Sequence, residues 1–264
     1  SQRPSSSAAP RPLHRRVSRD RACATSNMAA FSDKPIRGVV FDLDGTLLDT
    51  EELSSQSLQQ SVGKFGKQFT WEVKQKILGL RKESWAPIVI AELGLEGQLS
   101  WEDLGAQWEH NLHELSPQVK KCDGAETVTK RLKGMGVPQG IATSSSKAAV
   151  SIKRQNHEGL FERMECVVTG DDPEVIQGKP APDIYLAAAR RMGIKPQECL
   201  AFEDALSGVR SAKAAGMLVV AVPDPRLDRA PFLEAGADLL LGSLGEWDPS
   251  AWRLETGAVA ETDA

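Results

Sequence analysis

Six short apolar runs recur along the chain: GVVF (38–41), VPQGIAT (137–143), CVVT (166–169), CLAFED (199–204), LVVAVP (218–223) and DLLLGS (238–243). Most are apolar at odd and even positions alike, as strands covered by helices on both faces must be, and that pattern belongs to parallel sheets. Helical period fills 124–135, 146–155, 181–192 and 205–215, the last ending at Gly216 as a C-cap. The alternation predicts an α/β fold built on a doubly wound parallel sheet. Between Glu51 and Cys122 the strand signal stops, and LSSQSLQQSVGKF, WEVKQKIL, ESWAPIVIAEL and WEDLGAQWEHNLHEL read as helices. The expected organisation is a core over 36–50 and 123–254, a helical cap over 51–122, and a tail over 255–264. Inserted after the first strand, such a cap would lie over the carboxyl ends of the strands, where open α/β sheets bind ligands.

The first strand runs into FDLDGTLLDT, residues 41–50. Asp42 and Asp44 leave the sheet two residues apart, and Gly45 permits the sharp turn that follows. Two carboxylates this close repel each other unless a cation or a shared proton intervenes. Oxygen ligands of this kind suit Mg²⁺, which takes one or two carboxylates plus a substrate phosphate and keeps several waters. Asp49 or Thr50 reads as the N-cap of the next helix, with Glu51 and Glu52 favoured by its dipole.

Three further segments fit phosphate chemistry. ATSSS (142–146) sets hydroxyls directly after a strand, where they and backbone N–H groups can hold phosphate oxygens. GKPAPD (178–183) presents Lys179 from a turn stiffened by two prolines, and FED (202–204) ends another strand with two acids. A helix cap, a proline turn and a solvated strand end would explain each alone. All four in this order, three of them at strand ends, point to one site.

Asp42-Leu43-Asp44-Gly45-Thr46, Thr143-Ser144, Lys179-Pro180 and Glu203-Asp204 together resemble the four motifs of the haloacid-dehalogenase-like hydrolase superfamily. The resemblance spans about residues 36–254 and implies a Rossmann-like core with an inserted helical cap. GDDPEVIQGKPAPDIYLAAARR, FEDALSGVRSAKAAGM and VPDPRLD look more narrowly like the pseudouridine-5′-phosphatases and the plant glycerol-phosphate phosphatases. By that resemblance Asp42 is the nucleophile and Asp44 the acid/base. Mg²⁺ is held by Asp42, Asp44 through its backbone carbonyl, and Asp204; Thr143, Ser144 and Lys179 bind phosphate. Glu203 would orient water or Lys179. Related mutases carry a His shortly after the Asp-Thr pair, where this chain has Ser54, and a dehalogenase has no use for Asp44 or the second metal acid.

With 32 Lys and Arg against 36 Asp and Glu, the net charge near −4 offers no field for nucleic acid or an anionic membrane. No run of about 18 apolar residues is present. The expected partner is a small phosphate ester, the expected state a monomer. Cys23, Cys122, Cys166 and Cys199 form no C-x-x-C pair and read as free thiols. The first 27 residues hold six Arg and one acid. They read either as a chloroplast or mitochondrial transit peptide or as sequence upstream of a start at Met28 in a cytoplasmic protein. In the cap, Arg81 and Lys82 of GLRKES are the candidate substrate loop. His110 and His113 read as a solvated helix face, and Trp85, Trp101 and Trp108 as packing for the cap's own core.

Overall fold

A computed structural model describes residues 34–77, 80 and 82–255. The leader up to residue 33, Arg81 and the tail beyond Glu255 lie outside the described residues. Six parallel strands form one sheet: β1 (Gly38–Phe41), β2 (Gln139–Ala142), β3 (Cys166–Val168), β4 (Cys199–Glu203), β5 (Leu218–Ala221) and β6 (Leu239–Leu240). Their order is β3-β2-β1-β4-β5-β6, so the chain reverses its direction of winding between β1 and β4. That reversal opens the crevice in which doubly wound sheets bind ligands.

The two faces of the sheet are chemically unequal. Val39, Phe41, Ile141, Leu200, Phe202, Leu218 and Val220 point to one side and pack with Leu132, Trp247 and Trp252. Phe41 stacks on Phe202 with ring centroids 5.1 Å apart, and Trp247 meets Phe202 edge-on at 5.2 Å. The alternate residues, Val40, Ala142, Ala201, Val219 and Ala221, face the other layer. Small side chains there let α8 (Asp183–Arg191) and α9 (Leu206–Ala214) approach through their own alanines, Ala187–Ala189 and Ala212. Close-packed interiors leave no slack for larger groups at such contacts.

On the bulky side lie α5 (Ala125–Gly134), α6 (Lys147–Arg154) and the short α7 (Glu158–Phe161); α10 (Ala230–Glu234) follows β5. Gly216, at φ +86°, ends the α9 segment in the left-handed conformation that glycine adopts freely. The sequence reading misses α7 and α10, since four or five residues show no period. It overextends β6, which pairs with β5 over only Leu239 and Leu240.

Four helices, α1 (Thr50–Gly63), α2 (Trp71–Ile77), α3 (Lys82–Leu93) and α4 (Trp101–Leu115), fill the insertion. They enclose a separate cluster that includes Leu58, Val62, Val73, Trp85, Val89 and Leu104, with Trp101 and Trp108 packed against it. Asp49 caps α1, its Oδ1 accepting the Glu52 N–H at 3.2 Å, and Ser100 caps α4 through the Asp103 N–H at 3.0 Å. His110 and His113 are exposed. Among the described residues no helix is long and apolar enough to cross a membrane.

Candidate active site

Strand register assembles the site. Phe41 pairs with Ile141 on one side and Phe202 on the other, so Asp42, just past β1, stands level with Ala142 and Glu203, the last residues of β2 and β4. The Asp42 N–H still bonds to Phe202 O at 2.9 Å, which keeps its backbone in line with the sheet. Gly45 turns the chain at φ +87°, and a Cβ there would lie 2.1 Å from Asp204 Oδ2. Only glycine satisfies both the turn and the approach of the second acid.

Asp42 is buried, and its two oxygens have different surroundings. Oδ1 accepts from Lys179 Nζ at 2.6 Å, while Oδ2 has no hydrogen-bond partner among the described residues. Lys179, with a side chain 6 % exposed, also donates to Glu203 Oε1 at 2.6 Å and Ala142 O at 3.0 Å. Glu203 is fully engaged: Tyr185 donates its hydroxyl to Oε1 at 2.6 Å, and the N–H groups of Asp204 and Ala205 donate to Oε2 at 3.1 and 3.2 Å. Tyr185 therefore belongs to the site although nothing in the sequence distinguishes it from a core aromatic.

Asp42, Glu203 and Asp204 each offer a ligand oxygen, all within 4.8 Å of one another. Against these three carboxylates stands one ammonium, Lys179, leaving two negative charges in a buried place. Burial, then the charges of Glu203 and Asp44 working against Lys179, push the Asp42 carboxyl up to about 8. Burial and the neighbouring Asp42 and Glu203 charges push Asp204 well above the usual carboxylate range. Both shifts mark a place that favours a bound cation over bare charge. With Glu203 saturated by its four donors, the Asp42 Oδ2 and the Asp204 carboxylate remain for a hard cation, and an all-oxygen set of two carboxylates fits Mg²⁺.

Asp44 lies in a different environment. Thr143 and Ser145 donate hydroxyls to Oδ2 at 3.0 and 2.7 Å, and Lys153 donates to Oδ1 at 2.5 Å. Burial would raise its pKa, but Lys153 and the two hydroxyls outweigh it and hold the carboxyl below its ordinary value. The Thr143 hydroxyl is thus turned to Asp44, whereas Ser144 is exposed and lines the cavity. Ser145 and Lys153 are missed by the sequence reading. Ser145 is hidden inside a serine run, and a lysine in the last turn of a helix reads as an ordinary complement to the dipole.

A cavity of 380 Å³ opens above these groups, lined from the cap by Leu53, Ser54, Trp108 and Leu112. Trp108 packs edge-on to Trp85 at 5.3 Å and donates its indole N–H to Ser54 Oγ at 3.2 Å, so it serves both the cap core and the cavity wall. Of the candidate substrate loop, Lys82 is tied to Glu109 at 2.6 Å.

Gly208, on α9, carries a prediction. A Cβ there would lie 1.7 Å from Glu203 Oε1, and Glu203 cannot yield without breaking its four hydrogen bonds. Gly208→Ala is expected to cost about 1–3 kcal/mol of stability, as overpacking does, and to lower turnover through displacement of Lys179. Thermal melts and kcat both equal to wild type would refute this.

The matches to known proteins agree with this architecture. The haloacid dehalogenase-like hydrolase family matches residues 39–222. (DL)-glycerol-3-phosphatase 2 of Arabidopsis thaliana is 43 % identical over 222 residues, covering 83 % of this chain and 92 % of that protein. A protein of Drosophila melanogaster named as a probable pseudouridine-5′-phosphatase is 39 % identical, covering 85 % and 98 %. Among solved structures, a HAD family hydrolase from Deinococcus radiodurans with bound phosphate and sodium superposes with a TM-score of 0.68 at 27 % identity, over 83 % of this chain and 96 % of that one. With motif order, sheet topology and an acid-rich switch point all in agreement, the chain belongs to the haloacid dehalogenase-like hydrolase family.

Proposed function

We propose that the chain is a Mg²⁺-dependent phosphatase acting on a small phosphomonoester, with Asp42 as nucleophile and Asp44 as general acid and base. The observation that carries this reading is the unequal treatment of Asp42: one oxygen is anchored by Lys179, and the other is buried and has no donor among the described residues. A carboxylate so held keeps lone pairs for phosphorus and for a metal. Asp42, Asp204 and the main-chain carbonyl of Asp44 would hold the ion. When bound it supplies the charge neutralisation that lets an anion approach a phosphate dianion.

The chain's own groups supply the rest. Lys179 fixes the attack geometry and adds a positive charge beside the phosphoryl oxygens, with Glu203 and Tyr185 holding Lys179 in place. An Asp42 oxygen bonds to phosphorus as the ester P–O bond breaks, and the leaving oxygen takes a proton that Asp44, a carboxylate at rest, has first accepted from the monoprotonated phosphate ester. Water then gives a proton to Asp44 while its oxygen bonds to phosphorus, releasing phosphate and the Asp42 carboxylate. Ser144 and neighbouring amides would contact the remaining phosphate oxygens.

The relatives' names make glycerol phosphate and pseudouridine 5′-phosphate the first esters to assay. A cavity of 380 Å³ has room for either. A sugar-phosphate mutase is disfavoured because Ser54 accepts the Trp108 N–H and has no acid or base to offer. The test compares rates on those two substrates, phosphoglycolate and hexose phosphates, with Mg²⁺ and with excess chelator. Chelation is expected to lower turnover by at least about 100-fold, restored by Mg²⁺; persistent turnover in chelator would overturn the metal role.

A further inference from the structure

Lys153 has no role in the reaction as proposed above, yet its side chain is only 8 % exposed. Lysines are almost never withdrawn from water without a partner that repays the loss of hydration. Here the partners form a ring. Lys153 Nζ donates to Asp44 Oδ1 at 2.5 Å and to Ser145 Oγ at 2.8 Å, and Ser145 Oγ donates to Asp44 Oδ2 at 2.7 Å. Thr143 Oγ1 adds a second donor to Oδ2 at 3.0 Å and accepts the Ser145 N–H at 3.1 Å, tying the ring to the backbone beyond β2.

This arrangement separates the two lysines of the site. Lys179 bridges Asp42 and Glu203, whereas Lys153 reaches Asp44 and not Asp42. An ammonium has three donors and no acceptor, so Lys153 can anchor Asp44 but cannot relay its proton. Ser145, Lys153 and Asp44 line the same cavity as the cap residues Ser54 and Trp108. Asp44 is thereby held at the cavity by groups that do not touch the nucleophile.

We infer that Lys153 is a positioning residue for Asp44, and that protonation of the departing oxygen depends on it while attack by Asp42 does not. The inference rests on the acid role proposed for Asp44. In the step concerned the ester P–O bond breaks with its electron pair on the leaving oxygen, which takes the Asp44 proton. An alkoxide needs that proton to depart; a nitrophenolate does not.

The test measures kcat/KM of Lys153→Met in the full chain on p-nitrophenyl phosphate and on the faster of glycerol 3-phosphate and pseudouridine 5′-phosphate, both alkyl esters. The alkyl ester is expected to lose about 100-fold, the low end of what general acid catalysis contributes, and the nitrophenyl ester less than about 3-fold. Lys153→Arg should recover part of the alkyl-ester rate, and Ser145→Ala should show the same selectivity with a smaller loss. Equal losses on both esters, or none on either, overturn the inference. If Lys153→Met fails to fold by thermal melt, Lys153→Arg and Ser145→Ala carry the same ratio test. Asp44→Asn separates the two claims. If it slows both esters equally, the acid role of Asp44 falls and the inference with it; if it is selective and Lys153→Met is not, only the inference falls.

Discussion

Asp42→Asn is expected to lower kcat/KM by at least about 10⁴-fold, because an amide can neither attack phosphorus nor serve as an anionic metal ligand. The fold should survive the change. Asp42 is buried beside Glu203 and Asp44, and burial together with those charges raises its pKa to about 8. A carboxylate in that condition opposes folding when charged, so a neutral amide of the same shape relieves the strain. Lys179 retains Glu203 as its counter-charge. The metal-free variant should therefore melt within about 3 °C of wild type or above it, a span worth about 1 kcal/mol in a chain of this size. The rise in melting temperature that Mg²⁺ gives the wild type should be largely lost. Turnover above about 1 % of wild type in a clean preparation would exclude Asp42 as nucleophile.

The second large effect is expected at Lys179. Lys179→Met keeps an unbranched side chain one atom shorter and removes the one ammonium that, among the described residues, touches both Asp42 and Glu203. Glu203 is 1 % exposed and cannot turn to water. Breaking a buried pair from one side costs about 3–5 kcal/mol, since the surviving charge keeps its desolvation penalty. The melting temperature should drop by roughly 6–20 °C at 2–4 °C per kcal/mol, and activity should fall below about 0.1 % with loss of charge at the phosphate. The double variant Lys179→Met, Glu203→Gln should regain much of the stability and none of the activity. Additive losses in that cycle would show that the two side chains are energetically independent.

Both predictions depend on pairings that differ in how readily the sequence reveals them. The strands were legible because β1, β2, β4 and β5 are apolar on both faces, and only a sheet covered on both sides asks for that. The acids, the hydroxyls and Lys179 were legible because strand ends and a proline turn expose chemistry at fixed points. The cap helices were legible from their period and from Asp49 and Ser100 at their starts. The element boundaries shifted by a residue or two, as at β2, where Val137 and Pro138 precede the paired strand.

Contacts across the sheet were not legible. Lys179 lies 137 residues from Asp42, and Lys153 lies 109 residues from Asp44. A lysine on a helix has the same local signature whether it points to water or into a site. Which acid it meets depends on strand order and on the angle at which the helix crosses the sheet. Tyr185 and Gly208 read as core and as a helix glycine until Glu203 is placed between them.

By itself, then, the sequence determined the layered fold, the helices of the inserted segment and the residue types at the strand ends, because periodicity and turn chemistry act over a few neighbouring residues. The family resemblance grouped Asp42 with Asp204, and only the tertiary structure decided that the Asp44 side chain is held by Lys153 and Ser145. Hydrogen bonds and charge pairs act over about 3 Å, and the folded chain alone brings residues so distant in sequence within that reach.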